Sequence, residues 1–301
     1  MRDYSARYRF LDSIVNLNAF GTQKLARYLS YLIIPKPAGV ETIHTLLDFD
    51  ITVDPLNDTN GIEHELYYKG VYEKETMHMV KAFLKPGDTF IDVGANIGIM
   101  TLYASICVGP SGNVWAVEAN PATVKLLKDN IALNNFNNIK ILEFALGAQE
   151  GKGEIYPETI EGNRGAASMV KRDGQGTLKY DIIIKKLDDV IGGVKPTLMK
   201  IDVEGWELEV LKGSSNILSA SDAPVLIVEC FLDRENTIGS PTEIYKHLKS
   251  VNDYVIYKSQ LGKGRISGLV EVKSAEELPN EDNIICVPRS KLSSIPKSIL
   301  A

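Results

Sequence analysis

The segment Phe90-Ile91-Asp92-Val93-Gly94-Ala95-Asn96-Ile97-Gly98 constrains this chain more than any other. An apolar run ends there in Asp-x-Gly-x-Asn-x-Gly and opens at once into the apolar stretch from Ile99 to Cys107. A strand, a tight turn and a helix start have to follow one another within these residues. Small residues at 94, 95 and 98 let the backbone come close to a ligand, and the N–H groups of the helix start face it. Asp92 and Asn96 are the polar side chains left to specify what binds.

Charge and spacing narrow the ligand. Dinucleotide sites use Gly-x-Gly-x-x-Gly with the pyrophosphate on the helix N-terminus. Here Asn96 replaces the second glycine and the full fingerprint is absent. A carboxylate directly before the turn repels a diphosphate but attracts a ligand carrying an ammonium and a sulfonium, and S-adenosylmethionine is such a ligand. Val114-Trp115-Ala116-Val117 is a second apolar strand ending in Glu118, twenty residues beyond Gly98. An acid at that point of a βαβ unit accepts hydrogen bonds from ribose hydroxyls. Asn120-Pro121 then caps a helix in which Val124, Leu127 and Ile131 recur at helical spacing.

The remaining pattern fits an α/β fold with a doubly wound, mostly parallel sheet of seven strands. Strands are expected near 89–93, 113–118, 139–145, 197–202 and 225–231, alternating with helices, with an antiparallel pair near 254–259 and 284–288. A hairpin over 43–53 and a helix over 72–84, stopped by Pro86-Gly87, precede them. Residues 151–186 carry turn residues and short alternating segments and read as an inserted hairpin. Helically spaced Phe10, Leu11, Ile14, Val15, Leu17 and Phe20, then Tyr28, Leu29, Tyr31, Leu32 and Ile33, read as a helical cap on the core or on a second subunit. A homo-oligomer built through the cap is therefore open. Asp12, Lys24 and Arg27 break the apolar runs before they reach bilayer-spanning length, which argues against stable membrane insertion. The expected organisation is a cap over 1–69 and a Rossmann-like domain over 70–301.

Nucleic acid is a poor partner for a chain of net charge -6 without a basic cluster interleaved with aromatics. Cys107, Cys230 and Cys286 each lie inside an apolar stretch and read as free thiols of a reducing compartment, with cytoplasm the default. The four histidines (His44, His64, His78, His247) lack metal-binding spacing, and no metal is assigned. Asp188-Asp189, imaginable with Asp202 around Mg²⁺, more simply cap the segment that follows. Glu63-His64-Glu65 reads as an exposed patch.

Several blocks carry a family resemblance: Gly70-Val71-Tyr72-Glu73, Pro86-Gly87-Asp88 leading into the Asp92 turn, Glu118-Ala119-Asn120-Pro121, Ala145-Leu146-Gly147, Leu187-Asp188-Asp189 and Lys200-Ile201-Asp202-Val203-Glu204-Gly205-Trp206-Glu207. In this order, residues 70–230 resemble the FkbM family of S-adenosylmethionine-dependent methyltransferases. The resemblance implies a class I methyltransferase fold, S-adenosylmethionine as cofactor and transfer of methyl, usually to oxygen on a sugar or natural product. It also implies a place for Glu73 beside the methionine amine, or else in the first turn of the 72–84 helix, and an adenine contact around Glu143 and Ala145.

The cofactor-binding candidates are then Glu73, Asp92, Gly94, Ala95, Asn96, Gly98, Glu118, Ala119, Asn120, Glu143 and Ala145. Asp202 and Glu204, two residues apart at a strand end, are the catalytic candidates: Asp202 as base or acceptor-orienting group, Glu204 tuning it or binding substrate. Their competing reading is a helix N-cap and first-turn acid before Trp206 to Lys212. Lys200, charged inside an apolar strand, requires a carboxylate partner. Asn163, Arg164 and Ser168 of the insertion are candidates for the acceptor pocket, the acceptor being a small molecule or glycan. The leading function is O-methylation of a hydroxyl on a saccharide, glycolipid or secondary metabolite. The alternatives are an NAD(P)-dependent oxidoreductase or epimerase, and a methyltransferase-like binding protein without activity.

Overall fold

The computed structural model describes residues 3–17, 19–157, 167–171, 177–231 and 238–301, apart from the side chain of Ser298. Helices α1 (Ser5–Asn16) and α2 (Thr22–Ile33), strands β1 (Glu41–His44) and β2 (Asp50–Val53) and helix α3 (Ile62–Lys69) come first. They are followed by α4 (Lys74–Phe83), β3 (Thr89–Val93), α5 (Ile99–Val108), β4 (Asn113–Val117), α6 (Pro121–Leu133) and β5 (Ile139–Leu142). The middle of the chain adds β6 (Ala145–Leu146), β7 (Gly151–Ile155), β8 (Tyr180–Lys185), α7 (Leu187–Val190), β9 (Leu198–Ile201), α8 (Glu207–Lys212), α9 (Ser215–Ser219) and β10 (Val225–Cys230). Helix α10 (Pro241–Asn252) and strands β11 (Val255–Ser259), β12 (Leu269–Val272) and β13 (Asp282–Val287) complete the framework.

The main sheet has eight strands in the order β12-β11-β13-β10-β9-β3-β4-β5. From β10 to β5 all neighbours are parallel, while β13, β11 and β12 join antiparallel. The expected α/β, mostly parallel architecture is present with one strand more than seven. The addition is β12, a four-residue edge strand pairing Val272 with Ile256. A second departure lies at 139–145, which is not one strand. Pairing with β4 stops at Leu142, and Ala145–Leu146 crosses to a different three-stranded sheet, where β6 runs parallel to β8 and β8 antiparallel to β7. The inserted hairpin is this β7–β8 pair.

Side chains alternate between the two faces of the sheet, as strand geometry requires. Phe90, Leu198, Ile227 and Ile285 point to one face, where they share a core with Met79 of α4, Leu102 of α5 and Tyr8, Ile43, Phe49 and Tyr67 of the N-terminal elements. Ile91, Met199, Ile201, Leu226 and Val228 point to the other, against Leu208, Leu211 and Leu248. Each such fully buried side chain contributes about 1.5–3 kcal/mol. The cap thus packs on the sheet's own core, with the Tyr8 hydroxyl donating to Tyr67 O at 2.6 Å. Its outward side leaves Phe20, Leu25, Tyr28 and Leu32 exposed. Among the described residues no helix is long and apolar enough to cross a membrane.

The open edge of β2 is not left to water. Asn134 Oδ1 accepts from Asp50 N and its Nδ2 donates to Asp50 O, both at 2.7 Å. Asn130 Oδ1 accepts from Thr52 N at 2.8 Å, and its Nδ2 donates to Ile97 O at 2.9 Å. Two amides, Asn130 on α6 and Asn134 at its C-cap, therefore replace a neighbouring strand and tie the hairpin to the turn after β3. Asn130→Ala leaves a buried N–H and a buried carbonyl without partners, so it is expected to cost about 1–3 kcal/mol in denaturant unfolding. Unchanged stability would show that water substitutes for the amide.

Candidate active site

Strands β3 and β9 leave the sheet side by side, and the chain's connections diverge between them, which opens a crevice at their carboxyl ends. The turn after β3 is pressed into this crevice. Gly94 N and Ala95 N both donate to Val117 O at 3.0 Å. Gly94 has φ +81°, and a Cβ there would lie 1.8 Å from Asp202 O, so only glycine lets the turn meet the end of β9. Asn96 occupies the left-handed region at φ +51°, which asparagine tolerates better than most residues. Its N–H donates to Glu118 Oε2 at 2.9 Å, while Asn120 N–H donates to Oε1 at 2.8 Å. Burial pushes the Glu118 carboxyl up, and these backbone donors pull against that rise. Glu118 thereby fixes the turn as well as walling the cleft.

The cleft is about 330 Å³, and Asp92, Gly94, Ala95, Asn96, Glu118, Ala119, Ala145, Asp202 and Glu204 all line it. Four candidates lie elsewhere. Gly98 starts α5 at φ +99° beneath Leu127. Asn120 is the N-cap of α6, its side chain accepting from Ala122 N at 3.1 Å. Glu143 turns outward where β5 ends and pairs with Lys128 at 2.7 Å, leaving Phe144 to face the cleft. Glu73 is buried at the start of α4, held by Lys263 at 3.1 Å and by the Thr76 hydroxyl at 3.0 Å. Its carboxylate belongs to an ionic network behind the cleft rather than to the cleft wall.

That network is the main feature sequence reasoning missed. Lys200 Nζ lies 2.6 Å from Asp202 Oδ2, which supplies the partner expected for a buried lysine. Glu229, at the end of β10, is 4% exposed and receives Lys263 Nζ at 2.9 Å. Glu229 was detectable in principle, since an acid inside Val225–Cys230 is as anomalous as Lys200 in its strand. Lys263 sits in a Gly-Lys-Gly turn with no apolar pattern around it and gave no signal. Burial alone would raise Asp202; the Lys200 ammonium overrides it and holds the carboxyl well below the usual range. Burial alone would lower Lys200, but Asp202, Glu73 and Asp92 keep it protonated.

Asp92 sits on the same sheet face, register partner of Lys200. The Thr101 hydroxyl donates to its Oδ2 at 2.6 Å, whereas its buried Oδ1 has no hydrogen-bond partner among the described residues. Burial raises the Asp92 carboxyl to about 6, against the pull of Lys200 and Thr101. Neither Asp202 nor Glu204 caps the following helix: the N-cap of α8 is Trp206. Glu207, in the first turn of α8, instead ties down the loop before the helix, its Oε1 accepting from Val203 N at 3.0 Å and Gly205 N at 3.1 Å. Glu204 has φ +57°, a backbone that costs a non-glycine residue about 1–2 kcal/mol. The Ser168 hydroxyl from the insertion donates to Glu204 O at 2.8 Å. Asn163 and Arg164 lie outside the described residues.

Other polar groups serve the framework. Asp188 accepts from Asn216 N at 2.8 Å and Ile217 N at 3.1 Å, so it caps α9 far along the chain instead of the adjacent segment. Glu63-His64-Glu65 is not a uniformly exposed patch, because it forms the first turn of α3. Glu63 is buried and accepts from Asp54 N at 2.6 Å, while Glu65 lines the cleft. The carboxylates of Asp202, Glu204 and Glu229 converge within 4.8 Å. The ammonium groups of Lys200 and Lys263 already neutralise two of them, an arrangement a divalent cation would have to displace.

An open, mostly parallel sheet with a glycine turn after its first central strand, an acid after the second and a cleft between β3 and β9 defines a nucleotide-cofactor enzyme of the Rossmann-like class. A family model described as the methyltransferase FkbM domain matches residues 92–255, just over half the chain. The methyltransferase sdnD of Sordaria araneosa is 31% identical over 185 residues, covering 50% of this chain and 69% of the relative. Methyltransferase 1 of Beauveria bassiana is 28% identical over 200 residues, 58% of this chain and 76% of the relative. The hexuronic acid methyltransferase AglP of Haloferax volcanii is 28% identical over 193 residues, with 62% and 77% covered. The chain belongs to the FkbM methyltransferase family and is an S-adenosylmethionine-dependent methyltransferase.

The Lys200–Asp202 pair yields a stability test. Lys200→Met leaves the half-buried Asp202 carboxylate without its ammonium, so a loss of up to about 3–5 kcal/mol is expected in denaturant unfolding. A change within experimental error would mean that other groups neutralise Asp202.

Proposed function

We propose that this enzyme transfers methyl to a hydroxyl oxygen of a saccharide, glycolipid or secondary metabolite. The observation that carries the reading is the cleft itself, which brings the cofactor turn at Gly94 to Asn96 against the carboxylates at the end of β9. In this reading Glu118 binds the ribose hydroxyls, Asp92 and the turn hold the methionine half, and Phe144 and Ala145 border the adenine. Support for a sugar acceptor comes from AglP, whose name gives hexuronic acid as what it methylates. Free Cys107, Cys230 and Cys286 fit a reducing cytoplasm.

Transfer from a sulfonium is an in-line displacement, and its rate depends on holding the acceptor oxygen, methyl carbon and sulfur in line at near-attack distance. An alcohol is a weak nucleophile until its proton begins to leave, so a positioned carboxylate adds roughly a hundredfold or more. Asp202 stands at the right edge of the cleft for this, with Glu204 beside it. Asp202→Asn is expected to cut kcat by roughly a hundredfold or more, with S-adenosylhomocysteine affinity changed only a few-fold. The acceptor is found by incubating the enzyme with labelled S-adenosylmethionine and a panel of glycans and metabolite extracts. Label transferred only to nitrogen or carbon would overturn the hydroxyl reading, and no transfer to any acceptor would favour a binding protein without activity.

Asp92 adds a pH dependence with a definite sign. Its carboxyl stands at about 6, and the cationic cofactor is attracted to the ionised form. Affinity for S-adenosylmethionine should therefore weaken as pH falls through about 6, and Asp92→Asn should bind more weakly with a flat profile. Calorimetric titration across this range checks both, and a wild-type affinity independent of pH would remove Asp92 from the cation's surroundings.

A further inference from the structure

Among the described residues, Glu229 is the one buried acid of the cleft without a role in the proposed mechanism. It extends from the same sheet face as Lys200, since residues 225, 227 and 229 alternate with those facing α8. Its carboxylate comes within 4.8 Å of Asp202 and Glu204. Oε1 is taken by Lys263, and Oε2 is buried with no hydrogen-bond partner among the described residues. Asp202 is arranged as its counterpart, with Lys200 on Oδ2. A buried and a half-buried carboxyl in such proximity cannot both stay ionised without cost even with a lysine on each, and a single proton between them satisfies the unpartnered oxygen.

We propose that Asp202 and Glu229 act as one proton-sharing pair, and that this pair, with Glu229 as its proton-holding member, receives the proton of the acceptor hydroxyl. The inference rests on the hydroxyl-methylation reading. In the step, the acceptor oxygen forms the C–O bond as the C–S bond breaks onto sulfur, giving S-adenosylhomocysteine. The hydroxyl O–H bond breaks with it, and the proton passes to the unprotonated pair and is held there before release to water. Lys200 and Lys263 make the doubly ionised form accessible, because each neutralises one carboxylate. Division of labour follows from the surroundings. Burial and the Asp202 charge push Glu229 well above the usual carboxylate range, with Glu204 adding to the rise and Lys263 opposing it. The neighbouring strand β13 places the neutral amide of Asn283 opposite Glu229, while Asp282 of that strand and Glu73 of α4 act on it through Lys263. A carboxyl so placed is the stronger base of the two.

Carbon-13 titration of side-chain carboxyls in the full-length enzyme tests the pair without an acceptor, the Glu229 signal being assigned by its loss in Glu229→Gln. Glu229 should titrate well above ordinary glutamates, and Asp202→Asn should lower its midpoint by about one pH unit or more. A Glu229 ionised in the ordinary range, or unmoved by Asp202→Asn, overturns the pair. With a hydroxyl acceptor in hand, kcat should rise with pH as the pair loses its proton. Glu229→Gln should lose that limb and roughly a hundredfold or more in kcat, with S-adenosylhomocysteine affinity within a few-fold. A variant that keeps the limb overturns the role, as does MgCl₂ that shifts the Glu229 signal together with activity abolished by EDTA. A wild-type enzyme that methylates no hydroxyl defeats the reaction assigned above while the titration still judges the pair.

Discussion

The ion pair between Lys200 and Asp202 is the constraint on which the cleft depends. A lysine on a buried strand is tolerable only with a carboxylate at hydrogen-bond distance, so the end of β9 has to present Asp202 back toward its own strand. That fixes the Asp202 backbone where its carbonyl meets the turn after β3, and the contact leaves no room for a side chain at 94. The cofactor turn and the carboxylate edge are thus positioned by one another. Glu118 completes the arrangement by taking the N–H groups of Asn96 and Asn120, so three strand ends are locked by polar contacts that are themselves shielded from water.

How much of this could be read in advance depended on whether a feature is local in the chain. The β3 turn, Glu118 and the Lys200–Asp202 strand end are each contiguous, and their residues carry the signal directly. Glu143 lies off the cleft for a local reason of a different kind: strand periodicity runs on to Ala145 in the sequence, but the chain leaves the main sheet after Leu142 to pair with β8. Glu73 is drawn behind the cleft by partners from far away, with Lys263 and Asn283 both some two hundred residues along the chain. Lys263 owes its place to a loop whose backbone is held by Glu75 of α4, a contact no periodicity announces. The eighth strand was missed since β12 is short and half exposed, and it gains strand geometry only by lying against β11.

The same geometry separates this site from a dinucleotide site on the same topology. A pyrophosphate needs the second glycine so that it can approach the helix start. Here that position is Asn96, whose own side chain accepts from Ile97 N at 2.8 Å and occupies one of those donors. Asp92 stands directly behind the turn, with one carboxyl oxygen unpaired. Both features turn a phosphate cradle into a surface that favours cationic ligands.

The charge of the cleft also bears on turnover once the cofactor is seated as proposed. Methyl transfer converts a sulfonium into a neutral thioether, so the product has lost the positive charge that Asp92 attracted, while Asp92 takes no part in the proton transfer and keeps its own charge. A Coulomb attraction that held the cofactor is then absent from the product, and in a partly buried cleft it is screened less than at the surface. The charged form enters a site whose Asp92 is poised to ionise, and the neutral form leaves it. Lys200 and Lys263 sustain this bias, because without them the convergent carboxylates would take up protons from water and the discrimination would disappear.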